Sequence, residues 1–173
     1  MSNITSFHDD LHIAKAKVYD ACAFEFTNLQ WETESQEYGA CTFELHGSKI
    51  LYRNAKITPT KNGQFVSIWK RNKNGITEPF GVQDEIDFII ITARSGEHFG
   101  QFIFPKSVLA NKEIITQKGK IGKRGIRIYP PWEIPNSKQA ERTQNWQLNY
   151  FLTIKEDDST NLFLAKKLLQ SNQ

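Results

Sequence analysis

The chain has 173 residues, 39% of them hydrophobic and 24% charged, with a formal net charge of +3; that length suits one domain, 1–173, able to bury most of the apolar surface its unfolded form exposes. No charged start leads into an apolar run with a small-residue cleavage site, and no apolar stretch approaches the roughly 20 residues that span a bilayer, so a cytoplasmic protein with no membrane partner is expected. Cys22 and Cys41 are the only cysteines and form no CxxC or Cys/His cluster, which excludes a zinc knuckle and a disulfide framework.

From Asp9, the residues Leu11, Ala14, Val18, Ala21 and Cys22 recur at helical spacing, and Asp9 and Asp10 suit the positive end of a helix dipole. This predicts one helix to about Phe24, with Cys22 in the core. Strands over 40–45, 49–58 and 64–71 follow, each ending at a turn pair: His46-Gly47, Asn62-Gly63 and Asn74-Gly75. Asn-Gly tolerates positive φ at both central turn positions, which makes these pairs hairpin signals. Two more strands, 87–93 and 99–104, flank Ser95-Gly96. The expected fold is α+β, with a central, mainly antiparallel meander of about five strands flanked by helices. Phe88-Ile89-Ile90-Ile91 is continuously apolar, so its strand should be central and covered on both faces, by the first helix and by helices that follow the sheet.

The last third begins with a Lys/Gly-rich loop, Gln117 to Gly125, and a short strand, Ile126 to Tyr129. A stiff segment from Pro130 to Pro135 then leads to a helix from Ser137 to about Leu152. A final helix, Asn161 to Leu169, should be capped by Asp158 or Ser159 and carries Leu162, Ala165, Leu168 and Leu169 on one face.

The modest net charge sums blocks of opposite sign. Residues 1–44 carry eight acids and two bases; residues 45–77 carry seven bases and no acid; residues 105–150 carry nine bases against Glu113, Glu133 and Glu141. Within the first basic block, Arg53, Lys56, Lys61, Lys70 and Arg71 lie among Gln64, hydroxyls and Trp69. Cations, hydroxyls and flat rings are what phosphate contact and base stacking require. Within the second, Lys123, Arg124 and Arg127 surround three glycines and precede Tyr129 and Trp132. The loop offers an anion-binding nest or a mobile surface loop, and it matches neither GxxxxGK[ST] nor GxGxxG. Gln139, Thr143, Gln144 and Gln147 follow at helical spacing, an amide face able to meet base edges or phosphates. Trp146, beside them, is expected in the core.

Together Ala55 to Lys61, Gly63-Gln-Phe-Val66, Trp69-Lys-Arg71, Gly100 to Lys106, Gly122-Lys-Arg-Gly125, Tyr129-Pro with Trp132, and Gln139-Ala with Thr143 to Gln147 resemble the MepB-like family. The resemblance spans roughly residues 15–152. The family comprises bacterial proteins, some encoded beside a multidrug-efflux pump and its repressor. The resemblance implies DNA binding and a restriction-endonuclease-like fold, without a defined reaction. A PD-(D/E)xK nuclease of that fold would need carboxylates for Mg²⁺ and a lysine to help activate water. Asp84 and Asp87 are the candidate metal ligands, and Lys106 stands at the end of the next strand, but Phe104 stands where the motif requires an acid. A five-strand meander also departs from that fold, whose core inserts a helical crossover after three strands.

The expectation is therefore a DNA-binding accessory protein with no evident cofactor, gripping phosphates through Arg53, Lys56, Lys61, Lys70, Arg71, Lys106, Lys123, Arg124 and Arg127. Gln64, Trp69, Tyr129, Trp132, Gln139, Gln144 and Gln147 would supply the remaining contacts. The alternatives are a Mg²⁺-dependent nuclease or nucleotide-modifying enzyme at Asp84 and Asp87, and a protein-interaction module with a basic face.

Overall fold

The computed structural model describes residues 9–170. The first helix, α1, is α-helical over 9–14 and closes with a π-helical turn, Lys15–Tyr19. It ends five residues before the sequence limit of Phe24, whose N–H donates to Tyr19 O after Ala23 adopts φ 58°. The chain continues through β1 (Phe26–Trp31), β2 (Cys41–Leu45), β3 (Ser48–Asn54), β4 (Lys56–Ile57), β5 (Gln64–Ser67), β6 (Trp69–Arg71) and β7 (Thr77–Pro79). Then come β8 (Phe88–Ser95), β9 (His98–Pro105), α2 (Lys106–Asn111), β10 (Gly125–Ile128), α3 (Lys138–Gln147), β11 (Phe151–Thr153) and α4 (Leu162–Gln170).

The main sheet has six strands in the order β1-β2-β3-β8-β9-β11. All neighbours are antiparallel except β3 and β8. The expected five-strand meander is thus corrected. The strand read as 49–58 breaks at Ala55, whose N–H donates to Thr92 O. The strand read as 64–71 breaks at Ile68, whose N–H donates to Arg124 O. Its first half pairs with β4 and β10 in a separate three-stranded sheet, and its second half pairs with β7. The excursion from 55 to 87 supplies the long connection that a parallel pair requires. Asp87 fixes its return: the backbone N–H donates to Lys49 O and the carboxylate accepts from Lys49 N–H, both at 2.8 Å.

β8 is central, as its unbroken apolar run predicts, and alternate residues feed two cores. Phe88 and Ile90 join Ile50, Tyr52 and Ile103 beneath α1 and α4. Ile89 and Ile91 join Leu51, Phe102 and Phe104 beneath the small sheet and α2. Cys22 lies in the first core, as expected. That core also holds a polar chain: Tyr19 Oη donates to Gln101 Oε1 (2.8 Å), Gln101 Nε2 donates to Thr92 Oγ1 (3.1 Å), and Tyr52 Oη bridges Thr92 and Asn54 Oδ1. Buried polar groups need such partners to remain tolerable.

The helix expected to reach Leu152 stops at Gln147. A 3-10 turn, Leu148–Tyr150, leads into β11, which pairs with β9 where Gly100 leaves room for the Phe151 ring. The cap of α4 is Asn161, whose Oδ1 accepts from Leu164 N–H at 3.0 Å. Asp158 instead pairs with Lys17, and Ser159 bonds Asp157. No helix of the described residues is long and apolar enough to cross a membrane.

Candidate nucleic-acid interface

The cations and amides expected on one binding surface are divided by the fold into structural groups and one cleft. Arg53 is the largest correction, because it is fully buried. Its guanidinium donates to Ser67 O (3.2 Å), Tyr52 O (2.9 Å) and Glu32 Oε2 (3.2 Å). Burial lowers its pKa, and Glu32 opposes that shift. A guanidinium so enclosed ties β3 to β5 and to the residue that follows β1, and meets no phosphate. Gln64 is likewise buried, donating to Arg94 O at 3.3 Å. Gln147 is buried too, donating to Arg127 O and accepting from Tyr129 N–H. Gln144 donates to Pro130 O and Glu133 O. Gln144 and Gln147 pin the connection into α3 and Gln64 ties β5 to β8, so all three are corrected from ligand contacts to structural ones.

The β6–β7 ribbon carries its own counter-charges. Lys70 Nζ lies 2.6 Å from Asp84 Oδ1 and 3.6 Å from Glu78, and those partners raise its pKa. Arg71 pairs with Glu34 at 2.5 Å and lies over the Trp69 ring at 5.3 Å. Arg124 donates to Thr77 O, and Lys106 Nζ donates to Asp84 O at 2.6 Å. Lys56 sits over the Tyr38 ring at 4.7 Å. Trp132 is stacked on His98 and meets Phe151 edge-on.

Asp84 and Asp87 are both engaged by protein groups. Asp84 binds Lys70 and accepts from Gly81 N–H, while Asp87 binds the Lys49 backbone. Among the described residues, no three His, Cys, Asp or Glu side chains gather into a metal-binding group.

The remaining expected contacts converge. A cleft of about 510 Å³ opens between β10, α3 and the stretch that follows α2, and it brings together Lys61, Lys123, Arg127, Tyr129 and Gln139. Its lining adds Lys112, Phe65, Thr143 and Trp146, and contains no carboxylate. Lys61, Lys112 and Lys123 form no ion pair among the described residues. Arg127 is held in place by Asn62 O (3.2 Å) and Thr58 Oγ1 (2.9 Å). Gly63, at φ +79°, turns the β4–β5 connection so closely against Tyr129 that a Cβ there would lie 2.7 Å from the ring. Ser137 caps α3 by accepting from Ala140 N–H at 3.1 Å, and the first turn of α3 lines the cleft, adding the positive end of its dipole.

The Lys/Gly-rich loop forms no nest. Its N–H groups at Lys120, Gly122 and Lys123 donate to Gln117 O, Thr116 Oγ1 and Ile114 O. That stitching sets the Lys123 side chain at the cleft. Lys112 escaped the sequence reading because nothing near it in the chain marks it; its only signal was membership of the second basic block. Trp146 packs on Phe104 at 5.3 Å, as a core residue would, and also lines the cleft with Lys112 Nζ 5.3 Å from its ring centre.

The family model for MepB-like proteins matches residues 32–153. Among solved structures, the crystal structure of MepB is 36% identical, with a TM-score of 0.72 over 74% of this chain and 86% of that one. The structure of a bacterial homing endonuclease, I-Ssp6803I, is 13% identical, with a TM-score of 0.44 over 94% of this chain and 93% of that one. No curated protein matches the sequence.

Proposed function

The chain belongs to the MepB-like family, and on that premise we propose that it binds nucleic acid, DNA in the first place, as an accessory protein that grips phosphates in the cleft between β10 and α3. The observation that carries this reading is the meeting of Lys61, Lys112, Lys123 and Arg127 at one concavity without a carboxylate. They come from three separate stretches of chain. Like charges brought together with no carboxylate among them in the cleft repel one another, and a bound polyanion relieves that repulsion while releasing its own counter-ions.

A restriction-endonuclease-like frame is part of the same proposal. It is supported by three antiparallel strands, β1 to β3, followed by a crossover into the parallel strand β8. Here the crossover is built of short strands. The engaged carboxylates of Asp84 and Asp87 favour binding over Mg²⁺-dependent cleavage, and the unpaired cations favour a phosphate ligand over an acidic protein.

The test is fluorescence anisotropy of labelled DNA across a salt series. Each phosphate contact contributes roughly 0.9 to the slope of log K against log salt for duplex and roughly 0.7 for single strands, so Lys61→Ala with Lys123→Ala should weaken binding and flatten the slope by about 1.4 to 1.8. Removing Lys70 and Arg71, whose charges are already met by Asp84, Glu78 and Glu34, should leave the slope near that of the unaltered protein. An unchanged slope in the Lys61/Lys123 variant would exclude the cleft as the phosphate site.

A further inference from the structure

Resting on that reading, the shape of the cleft decides between paired and unpaired ligands: we infer that it takes an unpaired strand, DNA or RNA, with bases stacked on its aromatic lining and phosphates on its rim.

The cleft does not end at the first concavity. Beyond it the surface continues along the outer side of α3 as a shallow, largely open depression, and the two share Lys112, Gln139, Thr143 and Trp146. On a helix, Gln139, Thr143 and Trp146 stand at i, i+4 and i+7, one face about 10 Å long at 1.5 Å per residue. That face is a track, and the outer depression adds Arg142 to its cations. Lys61, Lys112, Lys123 and Arg142 are exposed, whereas Arg127 and the rings of Phe65, Tyr129 and Trp146 are half-buried. Charge therefore lies at the rim and aromatic surface lies inside.

A duplex is convex and keeps its base faces stacked within, so its phosphates would meet this rim and the rings would meet nothing. A helix that reads a major groove about 12 Å wide must stand clear of its surroundings. The track on α3 instead lies along one wall of the first concavity, opposite residues of the β4–β5 turn, the segment after α2 and β10, before it opens onto the shallow outer face. An unpaired strand resolves both mismatches. Its bases turn inward to stack, a contact worth roughly 1–3 kcal/mol per base, and its backbone remains at the cationic rim. Gln139 and Thr143, which make no side-chain hydrogen bond among the described residues, lie on the track beside the stacking surface.

The experiment compares fluorescein-labelled (dT)12, (U)12 and a 12-base-pair blunt duplex by anisotropy at one fixed salt concentration. Tenfold or greater preference for the unpaired strands supports the inference. Equal or tighter duplex binding that is still weakened by Lys61→Ala with Lys123→Ala overturns it and leaves the nucleic-acid reading standing. Absence of binding to all three overturns both. Because Trp146→Leu could disturb the packing on Phe104, stacking is read independently with 2-aminopurine in the strand. Quenching on binding is expected, and unchanged emission overturns the stacking arrangement.

Discussion

Tyr19, Cys41 and Tyr52 are sealed within the first core, and burial raises the pKa of each; the Cys41 thiol is pushed up to about 12 from an ordinary 9.0, and nearby Arg53 opposes the shift. A group whose folded pKa is raised contributes stability that is complete below its unfolded pKa and is lost as pH climbs toward the folded value. For Cys41 that window runs from about pH 9 to about 12. Each such group weakens folding by about 1.4 kcal/mol per pH unit once its unfolded form ionises. Urea midpoints should therefore be level from pH 7 to 8.5 and fall above pH 9, and Cys41→Ala should make the decline between pH 9 and 10 shallower. A midpoint that is level to pH 10.5 would mean that these groups ionise without unfolding. Individual residues are also where sequence reading had least to work with. Arg53 looked like part of a basic ribbon, because its burial depends on Glu32, twenty-one positions away, and on a carbonyl at Ser67. Lys70 was expected on a phosphate as well, although its partners Glu78 and Asp84 lie within fourteen residues, across a hairpin that was expected there.

Elements were legible where local chemistry determines them. His46-Gly47 and Ser95-Gly96 sit at tight turns with positive φ, and the apolar run in β8 marked the centre of the sheet. Four elements escaped, β1, β7, α2 and β11, and the first and last show why. β1 carries a bulge between Thr27 and Gln30, with Asn28 at φ 57°, so its side chains never alternate as a strand pattern requires. β11 is three residues long and follows a helix with no breaker between them; it exists because β9 offers an open edge and Gly100 offers space. That dependence can be tested. A Cβ at position 100 would collide with the Phe151 ring and lie 2.6 Å from Leu152 O. Gly100→Ala should therefore cost about 1–3 kcal/mol and lower the melting temperature, as overpacking does. A melting temperature equal to that of the unaltered chain would show that β11 yields without loss.

At the scale of the molecule, charge blocks read along the chain are rearranged by the crossover between β3 and β8. That excursion carries Lys61 to the side of β5 where β10 and α3 close the cleft, and it carries Lys70 and Arg71 to a ribbon with acids of its own. The sequence showed that basic residues were gathered into two stretches; it could not show that one cleft draws from both, since the pairing of β5 with β10 joins segments about sixty residues apart. The most direct measurement of the central claim is amide hydrogen exchange of the whole chain with and without a saturating single-stranded oligonucleotide at low salt. New protection in residues 61–65, 112–127 and the α3 segment 138–147, with β6 and β7 unchanged, is the predicted result. Protection confined to the β6–β7 ribbon, or none anywhere at a concentration where anisotropy reports binding, would contradict it.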